Sequence, residues 1–262
     1  MRFKYRLTIE YDGSPFQGWQ IQEKGKTVQG VIEEALRDLT GERLEIQGAS
    51  RTDAGVHALG QVAHFTVHRR WPTEKILFGL NDRLPATVNV LSVEEAPLSF
   101  HARRDAKEKV YLYCLSQRRT AFAKKYVWWV KDTLEVERIC EGARLFVGLH
   151  DFSSFADKRI EPDVPRRVLI SSCEVEKRGP VILFSVAGSH FLWKMVRRMV
   201  GVLVEIGRGN LPVEVIPSLL TTPSPLPARY TAPPSGLFLA QVRYEGEERR
   251  KIPWPPWGIT EV

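Results

Sequence analysis

The stretch R-T-D-A-G-V-H-A at residues 51–58 places one carboxylate, Asp53, between an arginine-containing segment and an alanine–glycine pair. A small residue followed by glycine favours a tight turn, because glycine adopts positive φ angles without steric cost. Such a turn can hold a single carboxylate outward beside a basic group, where it could act as a nucleophile or a base. An ordinary surface Asx-turn has the same residue types, so the pattern alone leaves both interpretations open.

The other chemically active residue types do not form a recognisable cofactor motif. The cysteines, Cys114, Cys140 and Cys173, are far apart and contain no C-x-x-C pair, and the six histidines contain no H-E-x-x-H motif. Neither G-x-G-x-x-G nor G-x-x-x-x-G-K occurs. The sequence therefore predicts no metal and no other cofactor, and its cysteine usage fits a reducing cytoplasm.

The composition is that of a globular protein with an anionic partner. With 43% hydrophobic and 26% charged residues, the composition is typical of a globular protein. The length of 262 residues suits two domains of ordinary size. No apolar run is long enough to span a bilayer, and the basic N-terminus alternates in polarity, unlike a signal peptide. We therefore predict a cytoplasmic protein that does not enter a membrane.

The net charge of +7 suits binding to a polyanion, because neutralised phosphates release counterions. Many of the basic residues occur in adjacent pairs, although each pair taken singly is typical of a solvated face. The pairs are Arg69-Arg70, Arg103-Arg104, Arg118-Arg119, Lys124-Lys125, Arg166-Arg167 and Arg197-Arg198.

The first half of the chain has the pattern of a β-α-β-β-α-β unit. Residues 2–11 alternate between apolar and polar, which predicts a half-buried strand. A helix is predicted from the N-cap Thr27 to Gly41. The remaining predictions are strands at 43–49 and 60–67, a helix from Thr73 and a strand at 87–93. This element order is that of the ferredoxin-like split unit.

The second half repeats that order with additions. The predicted elements are strands at 108–117 and 126–130, a helix at 133–147 with Asp132 and Glu135 as a capping pair, a hairpin of 168–177 and 181–187, helices at 191–206 and 212–220, and a strand at 236–244. The proline-rich segment from Pro223 to Pro234 is predicted to be an extended loop. The tail I-P-W-P-P-W-G is predicted to pack as an aromatic strap.

The predicted fold is therefore α+β, with two ferredoxin-like (RRM-like) domains. Two halves with one element order predict antiparallel sheets that join side by side into one extended sheet. The predicted domains are 1–104, which carries Asp53, and 105–246, followed by a proline- and tryptophan-rich tail at 247–262.

The segment G-A-S-R-T-D-A-G-V-H-A at 48–58 resembles the signature of the TruA family of tRNA pseudouridine synthases. Further segments resemble this family in the expected order and extend over almost the whole chain. They are Y-D-G-S-P-F-Q-G-W-Q at 11–20, F-H-A-R at 100–103, Y-L-Y at 111–113, H-D-F-S-S-F at 150–155, K-M-V-R-R-M-V-G at 194–201 and S-G-L-F-L at 235–239.

The resemblance implies a mechanism and a set of site residues. It implies two ferredoxin-like domains with an active-site cleft between them, and Asp53 as the acid that acts on the ribose of the target uridine. Tyr111 is then the active-site tyrosine, which stacks on the flipped base and takes a proton from it. Arg197 is the partner of Asp53, and Arg198 is left free. The resemblance also implies contacts to the substrate from Arg51, Arg103 and Leu237.

The resemblance further implies a substrate and an assembly. The family makes pseudouridine at tRNA positions 38–40 in the anticodon arm, requires no cofactor and acts as a homodimer. His57 is more typical of a structural histidine, so we assign it no catalytic role.

Two alternatives from other classes stay open at this point. One is a non-catalytic RNA-binding protein built from two RRM-like sheets, although no R-G-F-G-F run of stacking aromatics is present. The other is a hydrolase that uses Asp53, for which a second carboxylate would be expected. The sequence does not separate a nucleophilic from an elimination route at Asp53.

Overall fold

The structure, a computed structural model, describes residues 1–160 and 162–250. The chain divides into two compact units. The first unit is Met1–Lys107 together with the segment that begins at Phe238, and the second unit is Glu108–Leu237. Each unit combines helices with mostly antiparallel strands, which confirms a mixed α and β architecture. The predicted aromatic strap, I-P-W-P-P-W-G at 252–258, lies outside the described residues.

The elements of the described residues are as follows. The strands are β1 (Phe3–Tyr11), β2 (Gln47–Gly48), β3 (His57–Val67), β4 (Val88–Ala96), β5 (Glu108–Ser116), β6 (Trp128–Trp129), β7 (Gly148–Asp151), β8 (Arg167–Arg178), β9 (Val181–Gly188) and β10 (Leu237–Arg243). The α-helices are α1 (Val28–Thr40), α2 (Thr73–Asn81), α3 (Val136–Arg144), α4 (Met195–Gly207), α5 (Val215–Thr221) and α6 (Leu226–Arg229).

The strands of the first unit lie in the order β4-β1-β3-β10, with β2 beside β3. Their pairings are antiparallel except that of β10 with β3, in which Phe238 lies opposite His57. The alternation of β1 has the predicted effect, because Tyr5, Leu7 and Ile9 are fully buried while the residues between them are not.

Local signals fix the first helix as predicted. The side chain of Thr27 accepts a hydrogen bond from the backbone N–H of Gly30 and so caps the start of α1. Gly41 ends the helix in the left-handed conformation at φ 77°, and its N–H donates to the carbonyl of Arg37.

The second unit has the strand order β5-β9-β8-β7, with β6 parallel to β5. All nine residues of β5 are buried, which suits a strand at the centre of a core. Helix α4 is buried at every position except Arg197. Within the described residues, no helix is both long enough and apolar enough to cross a bilayer.

Several predicted boundaries were wrong. The strand predicted at 43–49 is only β2, strand β7 was not predicted, and the proline-rich loop contains α6. The predicted capping pair was also wrong. Glu135 makes no side-chain cap to α3, and Asp132 instead forms an ion pair with Arg208, with 2.8 Å between Oδ2 and Nε.

Candidate functional site

Asp53 opens a four-residue turn. The N–H of Val56 donates to the carbonyl of Asp53 at 3.1 Å, and Gly55 has a φ of 75°. A positive φ at the third position of a turn is the reason glycine is needed there. The prediction of a tight turn at Asp53 is therefore confirmed. The carboxylate-bearing residue is half-buried, and Arg51 is exposed.

The segment 11–20 holds this turn from one side. The N–H of Trp19 donates to the carbonyl of Thr52 at 3.1 Å, and the N–H of Gly55 donates to the carbonyl of Phe16 at 3.3 Å. The hydroxyls of Tyr11 and Thr52 share a hydrogen bond of 2.8 Å. Two of the family-like segments are thus one structural assembly, with 11–20 as the support of the Asp53 turn.

Two glycines of segment 11–20 allow its close approach to the turn. A β-carbon at Gly18 would lie 2.6 Å from the carbonyl oxygen of Thr52, and one at Gly13 would overlap the carbonyl oxygen of Val56. A backbone oxygen cannot move aside as the end of a side chain can. Any larger residue at these positions must therefore displace the turn.

We predict that Gly13→Ala destabilises the first unit by about 3 kcal/mol and lowers activity, because the added methyl overlaps main chain at the Asp53 turn. Thermal and urea unfolding would measure the loss. The matched control is Gly41→Ala, where no atom lies within 4 Å and only the backbone conformation is strained, at a cost of about 1 kcal/mol. Equal losses in the two variants would contradict the prediction.

Two buried polar residues of β3 hold the segments around the turn. Gln61 donates from Nε2 to the carbonyl of Ser50 at 2.6 Å and accepts from the N–H of Ser50 at 3.1 Å. His57 is 1% exposed, accepts from the N–H of Gly13 at 3.1 Å and stacks on Phe238 at 4.7 Å between ring centroids. These contacts give His57 a structural function. The sequence analysis did not identify Gln61. A single glutamine within a mostly apolar strand was the signal that could have indicated it.

The F-H-A-R segment is held in place by the main chain of Ala102. The N–H of Ala102 donates to His64 Nδ1 at 3.2 Å, and the hydroxyl of Tyr244 donates to the carbonyl of Ala102 at 2.7 Å. This bonding leaves Arg103 exposed at the surface. Burial lowers the pKa of His64 to about 4, and the charge of Lys4 acts in the same direction.

The His64 imidazole predicts a pH dependence of stability. The unfolded chain takes up a proton near pH 6.5, whereas the folded protein does so only near pH 4. The free energy of unfolding therefore falls as the pH drops from about 6.5 to about 4, by about 2 kcal/mol in total. His64→Asn keeps an acceptor for Ala102 and removes the titration, so its unfolding should vary less over this range. The control is the exposed His68→Asn. A slope that His64→Asn leaves unchanged would contradict the assignment.

Two tyrosines of β5 have different surroundings in the second unit. Tyr111 lies opposite Val186 of β9 and meets Phe191 edge to face, with 5.0 Å between ring centroids. Tyr113 is fully buried, its hydroxyl donates to the carbonyl of Pro233 at 2.9 Å, and burial raises its pKa well above the ordinary value. Tyr113 is therefore structural.

Arg197 is oriented by the segment that precedes β10. Its Nε donates to the carbonyl of Ala232 at 2.7 Å, and the N–H of Ala232 donates back to the carbonyl of Arg197 at 3.0 Å. Gly201 allows this approach, because a β-carbon there would overlap the carbonyl oxygen of Tyr230. The position of the Arg197 guanidinium thus depends on main-chain contacts within the second unit.

The prediction that Arg198 is free was wrong. Arg198 is 8% exposed, donates to the carbonyl of Ala156 and has Nη2 at 3.8 Å from Asp157 Oδ2. Asp157 also pairs with Arg159 at 3.0 Å and Lys194 at 2.8 Å. The Arg159 side chain above all, and then Lys194, hold the pKa of Asp157 well below its usual range. A buried guanidinium needs such an anion, which the sequence analysis did not identify.

The structure distributes the predicted site residues over the two units. Asp53, Arg51 and Arg103 belong to the first unit, and Tyr111 and Arg197 belong to the second. Leu237 is also assigned to the second unit and is buried at the start of β10.

One histidine pair has a spacing found in helical metal sites. His64 and His68 stand four residues apart, as in H-x-x-x-H. Strand β3 keeps this stretch extended, so residues four apart are separated by about 13 Å, too far to share a metal ion. Over residues 1–160 and 162–250, no three His, Cys, Asp or Glu side chains are grouped so as to hold a metal.

A family model described as tRNA pseudouridine synthase matches residues 7–105 and 143–245, well over half of the chain. The chain belongs to the tRNA pseudouridine synthase family. The resemblance seen in its motifs is thereby confirmed, and the chain is an isomerase, since pseudouridine synthases are isomerases. The RNA-binding alternative without catalysis is not favoured.

Curated tRNA pseudouridine synthases match over nearly their whole length. The protein named tRNA pseudouridine synthase A from Moorella thermoacetica is 42% identical over 243 residues, which is 91% of this chain and 98% of that protein. The protein of the same name from Geotalea uraniireducens is 40% identical over 241 residues, with the same coverage. That from Acetivibrio thermocellus is 39% identical over 241 residues, again 91% of this chain and 98% of that protein.

Likeness to solved structures is weaker. A crystal structure of a Cbf5-Nop10-Gar1 complex aligns with a TM-score of 0.33 and 11% identity, over 76% of this chain and 54% of that one. A score this low says nothing about the fold of this tRNA pseudouridine synthase.

Proposed function

We propose that this protein converts uridine to pseudouridine at tRNA positions 38–40, in the anticodon arm. The observation that carries the proposal is the match, at about 40% identity and over nearly their full length, to proteins named tRNA pseudouridine synthase A. The positions are those of the TruA family, which the motifs at 48–58 and elsewhere resemble.

The reaction is an isomerisation that one carboxylate can carry out. The bond between ribose C1′ and uracil N1 breaks, the base turns, and C5 bonds to C1′. C5 then loses its proton while N1 gains one, so no water or redox partner enters. Glycoside hydrolysis, by contrast, uses one carboxylate on water and another on the leaving group. We assign the single carboxylate to Asp53, which attacks C1′ or removes a proton from C2′.

Tyr111 and Arg197 are the proposed partners of Asp53. A phenol can stack on a flipped uracil, and its oxygen can accept the C5 proton. A guanidinium that pairs with a carboxylate keeps it ionised near neutral pH. The fixed direction of the Arg197 side chain, with Nε bonded to the carbonyl of Ala232 at 2.7 Å, supports this positioning function.

Three further residues are proposed to bind the substrate. Arg51 and Arg103 are exposed cations on segments that are anchored by hydrogen bonds to the buried side chains of Gln61 and His64, which suits contacts to phosphate. Leu237 offers an apolar surface to the base. Recognition of this kind depends on shape and on the backbone of the RNA, which allows one enzyme to act on neighbouring uridines.

We further infer two ferredoxin-like domains with one extended sheet. The order β4-β1-β3-β2 within the first unit supports this fold for the N-terminal domain. The domain limits 1–104 and 105–246, with a tail at 247–262, stay predictions. So do the homodimer and the cytoplasmic location.

The direct test is incubation with unmodified tRNA, followed by mapping of pseudouridine at single-nucleotide resolution. We expect product at positions 38–40 wherever uridine occurs there. The control is the same tRNA with cytidine at those three positions, which should give no product. Product confined to another part of the tRNA would contradict the proposed positions, and no product in any tRNA would contradict the activity.

A further inference from the structure

A strongly basic segment of the second unit has no function in the mechanism above. Residues 117–130, Q-R-R-T-A-F-A-K-K-Y-V-W-W-V, contain four cations and no carboxylate. They form the connection between β5 and β6 and continue through β6. We call them the basic aromatic loop.

The basic aromatic loop exposes large aromatic side chains. Phe122 is 99% exposed and Trp129 is 44% exposed, whereas Val127 and Val130 of the same segment are buried. The loop therefore packs part of its apolar surface into the unit and leaves the two aromatic side chains in solvent.

The base of this loop is held by regular hydrogen bonding. Leu115 and Ser116 of β5 pair with Trp128 and Trp129 of β6, and the N–H of Val130 donates to the carbonyl of Ser116 at 3.0 Å. On the other side, the N–H of Gln117 donates to the carbonyl of Pro180 at 2.8 Å. Both ends are thus fixed to the sheet, and the tip around Phe122 is presented at a defined place.

Cations flank Phe122 in the sequence. Arg118 and Arg119 precede Phe122 and Lys124 follows it, all three exposed. The guanidinium of Arg119 lies 5.7 Å from the ring centroid of Trp129, within the range of a cation–π contact. Aromatic rings flanked by cations are the combination that binds unpaired nucleotides, because the rings stack on bases and the cations contact phosphates.

We propose that the basic aromatic loop is a docking surface for tRNA, in which Phe122 stacks on an unpaired base and Arg118, Arg119 and Lys124 contact the adjoining phosphates. The inference rests on the proposed function, which makes tRNA the substrate. Charge favours RNA over a second copy of this chain. A twofold contact would bring the same cationic surface of both copies together, whereas RNA supplies the compensating charge.

The first experiment measures tRNA affinity of Phe122→Ala by filter binding at fixed salt. Loss of one stacked base is expected to weaken binding about tenfold. Phe122→Trp should retain the affinity and Phe122→Leu should lose it, because leucine is apolar but does not stack. The matched control is Phe78→Ala, which removes another exposed phenylalanine, on α2, and should bind as the wild type does.

The second experiment measures the salt dependence of binding. The double variant Arg118→Gln/Lys124→Gln should reduce the slope of log affinity against log salt by about 1.5, since each lost phosphate contact removes about 0.7 to 0.9. The control is Lys75→Gln/Lys177→Gln, which removes two exposed lysines elsewhere and should leave the slope unchanged.

The outcomes separate the docking surface from the proposed activity. Unchanged tRNA affinity in Phe122→Ala would overturn the inference. So would weaker binding accompanied by a change in oligomeric state, measured by light scattering, because the loop would then join two copies of the chain. A wild-type protein whose tRNA affinity depends on the loop but which makes no pseudouridine would support the docking surface and overturn the proposed function.

Discussion

Asp53→Asn is expected to reduce pseudouridine formation at least about a thousandfold while tRNA binding and folding stay near normal. Asparagine preserves the size of the side chain and removes the charge that attacks C1′ or takes the proton from C2′. The turn should persist, because its hydrogen bond runs from the N–H of Val56 to the backbone carbonyl of residue 53. Release of the C5 hydrogen of uridine to solvent measures turnover, and thermal unfolding measures the fold.

The matched control for this variant is Asp38→Asn. Asp38 is an exposed carboxylate on α1 that lies 3.4 Å from Arg37, and its loss should leave turnover unchanged. If Asp53→Asn turns over within tenfold of the wild type, the assignment of Asp53 as the catalytic carboxylate is wrong. The same residual activity in both variants would lead to that conclusion too.

Tyr111→Phe is expected to lower product formation by about 10²- to 10⁴-fold without weakening tRNA binding. The substitution removes only the phenolic oxygen, so the ring can still stack on the base and still meet Phe191. Single-turnover kinetics with saturating enzyme would isolate the chemical step from binding.

Tyr113→Phe is the comparison that makes the Tyr111 result specific. Tyr113 lies two residues along the same strand. Its replacement by phenylalanine removes the hydrogen bond to the carbonyl of Pro233, which should lower the free energy of unfolding by about 1 kcal/mol. Its turnover per folded molecule should match the wild type. If Tyr111→Phe also retains full turnover, its oxygen does not accept the proton and the ring serves only for stacking.

The fold was predictable wherever neighbouring residues decide the structure. The alternation of β1 and the two ends of α1, Thr27 and Gly41, are local signals, and the structure confirms them. The strand predicted at 43–49 was wrong for most of its length, because pairing with β3 is confined to its last residues, Gln47, Gly48 and Ala49, and depends on tertiary structure. The short helix α6 formed in a segment whose prolines suggested a loop, since Pro227 lies in its first turn, where proline is tolerated.

The candidate site was predictable in its turn and not in its supports. The alanine and glycine that follow Asp53 predict the turn from their residue types alone. Its anchors on Phe16, Trp19 and Gln61 are contacts between segments, which no local pattern contains. The assignment of Arg198 failed for a related reason. Arg197 and Arg198 are adjacent on the same side of α4, and only the tertiary packing buries Arg198 and leaves Arg197 partly exposed.

The way in which the Asp53 turn is held bears on how readily this enzyme could be redesigned. The hydrogen bonds from the N–H of Trp19 to the carbonyl of Thr52 and from the N–H of Gly55 to the carbonyl of Phe16 run through main-chain atoms, so they impose little on the side chain at position 54. Ala54 is exposed and could be varied in a library to change which nucleotides are accepted, while Asp53 keeps its place. Gly13 and Gly18 have no such freedom, because the main chain of the turn fills the space that a side chain would need. Substrate choice and catalytic geometry are therefore separable targets for directed evolution.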